Sequence, residues 1–294
     1  MRCLTYGRRY SVLIEPTELY KRISENDPSI LVLDVRREEE YLKERIPGAF
    51  SLPFEKVMES MDASYLAALF ASAGLGIDED RSKDIIVYDD ASGVQAARVA
   101  WTLEFLGYEK VSLLAVTYSM WKKLGLCVDS SNVSTKLITN VNITALRNIE
   151  VNKGIIADDE YIYTILMTRV FEGKLDKIKL LDVRERLEFL DRHIMYTINI
   201  PWKAFTAKDR ILRQKEEIER RLKNHKISVD DEIVVYDESG GTFAALAYYA
   251  LKIAGCRNVR VYAKPLNACK ASNLPLVEFK DAHYRDLVAN PEFV

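Results

Sequence analysis

Reactive side chains are thinly spread along this chain. Its four cysteines, Cys3, Cys127, Cys256 and Cys269, form no CxxC pair, and with three histidines in the whole sequence they form no close Cys/His cluster. Zinc ligation needs such spacing, so no metal site is expected and no cofactor is implied. Charge of one sign is also missing: 42 Lys and Arg stand against 44 Asp and Glu, a formal net charge of −2. That balance leaves no electrostatic footprint for nucleic acid or an acidic membrane surface. No apolar run approaches the length of a membrane helix. The opening residues, MRCLTYGRRYSVLIEPTEL, lack the apolar stretch of a signal peptide. A cytoplasmic protein with reduced thiols is therefore expected, with no membrane or nucleic-acid partner. A disulfide framework is not needed at this size.

What is present is an ordinary globular composition, 48% hydrophobic and 29% charged over 294 residues, a length that favours two domains. An internal repeat organises it. LVLDVR at 31–36 recurs as KLLDVR at 179–184, which sets Asp34 and Asp182 148 positions apart. The same offset aligns Glu40 with Glu188, Pro53 with Pro201, Tyr88-Asp89 with Tyr236-Asp237, Gly93 with Gly241, and Gly107 with Gly255. It runs from about residue 33 to 111 with no net insertion. The reading is two globular domains, over 1–127 and 151–294, joined by a polar segment over 128–150.

Within each copy the β-branched runs IIVYD (85–89) and IVVYD (233–237) are apolar on both faces, as central parallel strands are. A Ser/Gly turn follows each, then a helical stretch closed by Gly107 or Gly255, then a further strand, KVSLL or NVRVY. Strand, helix, strand in this order predicts an α/β domain, a mainly parallel sheet flanked by helices. The stretch 208–226, KDRILRQKEEIERRLKNHK, is predicted as one helix with a solvated charged face, since opposite charges recur three and four residues apart.

These motifs together resemble rhodanese domains, in the tandem arrangement of the thiosulfate sulfurtransferases. LVLDVRREEEYLKERIPGAFSLPF is similar to the family's first signature, with Arg45 where a His is usual. LLDVRERLEFLDRHIMYTINIPW keeps the His as His193, while Met195-Tyr196-Thr197 departs from PGA. The resemblance implies chemistry in the second domain, where a cysteine after the VVY strand opens a six-residue loop at a helix N-terminus. Converging backbone N–H groups and the helix dipole lower the pKa of a thiolate there and hold its persulfide. In this sequence that loop is Asp237, Glu238, Ser239, Gly240, Gly241 and Thr242, and the nucleophile position carries Asp237.

A carboxylate at 237 suits an N-cap that accepts the loop's own amides; the alternative is a site for a cation or protonated ligand. Asp89 takes the same capping reading in the first domain. Arg184 matches a family residue that helps bind the anionic substrate, but a salt bridge to Asp182 or Glu188 is the favoured reading, since Arg36 recurs in the first copy. His193 reads as a hydrogen-bonded structural residue. Ser239 has no histidine nearby and no nucleophile-elbow pattern. Cys256 reads as a buried core thiol, and Cys269 as a possible substitute nucleophile on the loop after the last strand. Cys3 and Cys127 carry no chemistry. The function expected is a catalytically silent sulfurtransferase-family protein that binds or scaffolds a sulfur-carrier protein or a small sulfur anion. The alternatives are an active thiosulfate or 3-mercaptopyruvate sulfurtransferase with a displaced thiol such as Cys269, and a purely structural subunit.

Overall fold

The computed structural model describes residues 11–76, 83–132, 149–172, 177–266 and 274–278. The chain divides into two units: the first holds Met1–Asn152 with Lys208–Leu212, the second Lys153–Ala207 with Arg213–Val294.

In the first unit the strands are β1 (Leu13–Ile14), β2 (Ile30–Asp34), β3 (Phe50–Ser51), β4 (Asp84–Tyr88) and β5 (Val111–Leu114), and the helices α1 (Pro16–Ser24), α2 (Glu38–Lys43), α3 (Phe54–Met58), α4 (Ala63–Ser72), α5 (Val94–Phe105) and α6 (Tyr118–Lys123). The strands form one parallel sheet in the order β1-β5-β4-β2-β3. Ile85, Ile86, Val87 and Tyr88 are all buried on β4, which is why that strand reads as a continuous apolar run. Pro16 opens α1, where its missing N–H costs nothing.

The second unit repeats the scheme with α7 (Asp159–Glu172), β6 (Ile178–Asp182), α8 (Arg186–Asp191), β7 (Arg192–Ile194), β8 (Thr197–Asn199), α9 (Lys215–Asn224), β9 (Glu232–Tyr236), α10 (Thr242–Ile253), β10 (Asn258–Tyr262) and β11 (Leu276–Glu278). A parallel sheet runs β10-β9-β6-β8, and β7 pairs antiparallel with β11. α10 packs on β9 and β10 and is buried nearly all round, as its apolar sequence requires. Gly107 and Gly255 follow α5 and α10 in the left-handed region, with φ of 90° and 93°. Among the described residues no helix is long and apolar enough to cross a membrane.

One feature differs from the sequence reading. Residues 208–214 are not helical, and α9 begins only at Lys215. The backbone N–H of Ile211 is spent on the Ala115 carbonyl and that of Arg213 on the Phe205 carbonyl. Ile211 and Leu212, adjacent in sequence, are both buried. Tertiary packing has overridden the charge pattern of this stretch, while α9 itself keeps the solvated face, with Lys215–Glu219 at 3.6 Å. At the start of the 128–150 segment the chain is tied to the first unit. Asp129 and Ser131 are held by Arg45, whose guanidinium donates to the Asp129 carboxylate at 2.6 Å and to the Ser131 carbonyl at 3.0 Å. Residues 133–148 lie outside the described residues.

A conformational cost is visible at Ser92, which sits at φ 59° where the second repeat has Gly240 at φ 64°. Ser92 is exposed, and a non-glycine residue in this region is strained. Ser92→Gly is expected to stabilise the chain by about 0.5–1 kcal/mol in urea unfolding, the strain relieved exceeding the entropy glycine adds to the unfolded state. An unchanged or lower midpoint would refute this.

Candidate functional site

Each repeat ends its central strand in a buried Asp–Arg–Tyr cluster. In the first unit Arg36 forks onto Asp34, with Nε–Oδ1 at 3.0 Å and Nη2–Oδ2 at 2.6 Å, and the Tyr88 hydroxyl donates to Asp34 Oδ2 at 2.5 Å. In the second, Arg184 forks onto Asp182 at 3.1 and 2.6 Å, while the Tyr236 hydroxyl accepts the Ile194 N–H at 3.1 Å and contacts the Thr197 hydroxyl at 3.3 Å. The Nη2 of each arginine also donates to a backbone carbonyl, that of Glu44 from Arg36 and that of Arg192 from Arg184, which are repeat equivalents. Burial pushes the Tyr88 and Tyr236 hydroxyls well above their ordinary range, helped by the neighbouring Asp, so both stay protonated and serve as hydrogen-bonding struts.

These clusters set the ends of β4 and β9, and therefore the loops that leave them. After β9 the chain passes through Asp237 and Glu238, turns in the left-handed region at Gly240 and Gly241, and enters α10 at Thr242. A side chain at Gly241 would press on Ala263 and Val261 at 3.2–3.3 Å, so the loop runs hard against the end of β10. Asp237 is fully buried. Its Oδ1 accepts the N–H groups of Ser239 and Gly241, each at 2.8 Å, and its Oδ2 those of Phe243 and Ala244 at 2.6 and 2.9 Å. The carboxylate thus caps α10 and satisfies the loop from inside. Burial raises the carboxyl from its ordinary value and the four N–H groups pull it back. The net direction is upward, and the four converging donors are the groups that favour the ionised form. Asp89 repeats the arrangement in the first unit, accepting from Ala91, Gly93 and Ala96 at 2.9–3.0 Å.

The other loop residues are ordered around that carboxylate. The Thr242 hydroxyl donates to the Ser239 carbonyl at 2.9 Å, and Ser239 itself is exposed. Glu238 Oε2 lies 3.7 Å from Arg184 and 3.8 Å from Arg192. Arg184 is therefore flanked by two carboxylates, Asp182 and Glu238, a setting that competes with an incoming anion. Arg192 escaped the sequence reading. The one available signal was its place beside His193, opposite Glu44 in the repeat. His193 donates from Nδ1 to the Phe189 carbonyl at 2.7 Å and stacks on the Phe189 ring, with burial lowering its pKa.

Among the described residues the free cysteines are Cys127, exposed, and Cys256, buried. Neither lies in the 237–242 loop. Burial pushes the Cys256 thiol up to about 12, which keeps it protonated and a poor nucleophile. Cys269 lies outside the described residues. No group of three or more His, Cys, Asp or Glu among the described residues is placed to hold a metal ion.

Comparison with known proteins places this geometry. The model of the rhodanese-like domain matches twice, over residues 15–124 and 168–272. A probable 3-mercaptopyruvate sulfurtransferase of Schizosaccharomyces pombe is 22% identical over 87% of this chain and 91% of its own. The 3-mercaptopyruvate sulfurtransferase of Escherichia coli K12 is 26% identical over 81% and 88%. The crystal structure of SseA from Escherichia coli, described by its rhodanese fold, aligns with a TM-score of 0.70 at 22% identity, over 86% of this chain and 97% of that one. With the family model matched in both halves, this chain belongs to the rhodanese family, as a protein with two rhodanese-like domains.

Proposed function

We propose that this protein is a rhodanese-family member that does not transfer sulfur by a persulfide on the 237–242 loop and that acts instead by binding a sulfur-carrier protein. The observation that carries this reading is the Asp237 carboxylate, which accepts four backbone N–H groups. In the family scheme those amides hold the thiolate and then its persulfide; here a built-in anion already holds them. Asp237 at the nucleophile position supplies no thiol to attack sulfane sulfur. Glu238 beside Arg184 adds negative charge at the same place. A small sulfur anion therefore finds its donors engaged, and protein partnership is the role the frame retains.

The test is a thiosulfate:cyanide and a 3-mercaptopyruvate sulfur-transfer assay on the full chain, wild type beside Asp237→Cys. Wild type is expected at background. Asp237→Cys frees the amides and places a thiol among them, and a gain of about tenfold or more over wild type is expected, a barrier change of ~1.4 kcal/mol or more. The second reading, an active sulfurtransferase with a displaced thiol, draws on the names of the relatives at 22–26% identity. Robust wild-type turnover abolished by Cys269→Ser would establish it and overturn the first.

A further inference from the structure

The repeat offset is constant at the strands but not between them. In the first repeat the connection from α3 to α4 is Glu59–Asp62, four residues between helices that end at Met58 and begin at Ala63. In the second the matching connection runs from the 3₁₀ turn Trp202–Phe205 to α9 at Lys215, so Thr206–Gln214 makes nine. α4 and α9 are both ten residues long. The second repeat thus carries extra chain at this point, and Lys208–Leu212 from it is part of the first unit.

Those five residues are seated on the first unit's own Asp89–Gly93 loop. Ile211 is 3% exposed and Leu212 is fully buried. The Ile211 N–H donates to the Ala115 carbonyl at 3.0 Å, just past β5. A Cβ at Gly93 would lie 2.7 Å from Ile211 Cβ, so the loop admits this side chain only because position 93 has none. Arg210 forks onto Glu15, with Nη1–Oε2 at 3.0 Å and a second contact from Nη2 to Oε1. At the corresponding glycine of the second unit, Gly241, the nearest atoms to such a Cβ belong to its own strand end, at Val261 and Ala263. The two loops, alike in their filled amides, are used differently.

We infer that the Asp89–Gly93 loop is an intramolecular docking socket, occupied by the Lys208–Leu212 strap that the lengthened connection supplies. The first repeat's loop is then closed to any external ligand while the strap is seated. Ile211 is the plug, Gly93 is the seat, and the Arg210–Glu15 fork is the latch. This goes beyond the reading of the 237–242 loop and does not depend on it.

Hydrogen–deuterium exchange on the full chain tests the socket, with wild type beside Ile211→Ser and Glu15→Ala. Ile211→Ser is expected to speed exchange about tenfold or more at 208–212 and at the Ala91, Gly93 and Ala96 amides, leaving 239–244 as in wild type. Glu15→Ala is expected to give a smaller rise, about twofold, confined to the same two segments. Exchange at 89–96 that stays as slow as wild type in both variants, or that rises equally at 239–244, overturns the proposal. Should Ile211→Ser unfold the chain, Glu15→Ala alone decides.

Discussion

Asp237→Asn is expected to lower the stability of the second unit by about 2–4 kcal/mol, although it changes one atom and little volume. The four N–H groups aimed at this side chain need oxygen on both arms. An amide offers one oxygen. Whichever way it turns, its NH₂ faces either Ser239 and Gly241 or Phe243 and Ala244, and two buried donors confront a third. The penalty is the desolvation of unmatched donors together with the lost charge at the start of α10. Urea unfolding of the full chain reads it, with the two units analysed as separate transitions where they separate. Trp202 stacks on Phe243 at 4.9 Å between ring centroids and so lies next to the affected turn. A midpoint unchanged within about 0.5 kcal/mol, the ordinary scatter of surface substitutions, would show that the loop does not require a carboxylate.

The second large effect is expected at Asp182→Ala, about 3–5 kcal/mol. Arg184 is 6% exposed and Asp182 is fully buried. Removing the carboxylate takes from a buried guanidinium the two-oxygen partner of its Nε and Nη2, leaving Nη2 on the Arg192 carbonyl and Nη1 with the more distant Glu238 at 3.7 Å. Breaking a buried pair costs far more than exchanging both members for apolar residues. Against a typical total of roughly 5–15 kcal/mol, the second unit would be left marginal or unfolded. The first repeat provides an internal control. Asp34→Ala strips Arg36 and also the Tyr88 hydroxyl, so it should cost at least as much in the first unit. A loss below about 1 kcal/mol at Asp182 would mean that Arg184 finds other acceptors.

Much of the fold was legible because duplication writes the same signals twice. The LLDVR and VVYD runs mark the buried central strands, and Gly107 and Gly255 mark helix ends, since only a residue without Cβ turns there cheaply. The capping geometry of Asp237 was also readable, because an aspartate before a helix accepts its first amides. Other features follow from contacts distant in sequence. Nothing in RHI or LVE announces that β7 and β11 pair, since three-residue strands carry no usable period. The stretch 208–214 has helical charge spacing, yet Ile211 and Leu212 find burial elsewhere and take the backbone with them. The constant 148-residue offset concealed this, because a longer connection before α9 is compensated by a shorter one after it. Glu238 approaches Arg184 and Arg192 only through the fold.

The filled loop also bears on what mutation can reach. Aspartate and cysteine codons are not neighbours in the genetic code. Every shortest route from one to the other passes through tyrosine or glycine. Glycine at 237 would leave the four amides without their acceptor, and tyrosine would force a ring into a space that now holds a carboxylate with no exposed surface. Either intermediate loses the cap on α10 before a thiol is in place. The carboxylate is therefore a ratchet as well as a cap: each single-nucleotide step from it toward cysteine costs the four bonds at the base of the loop.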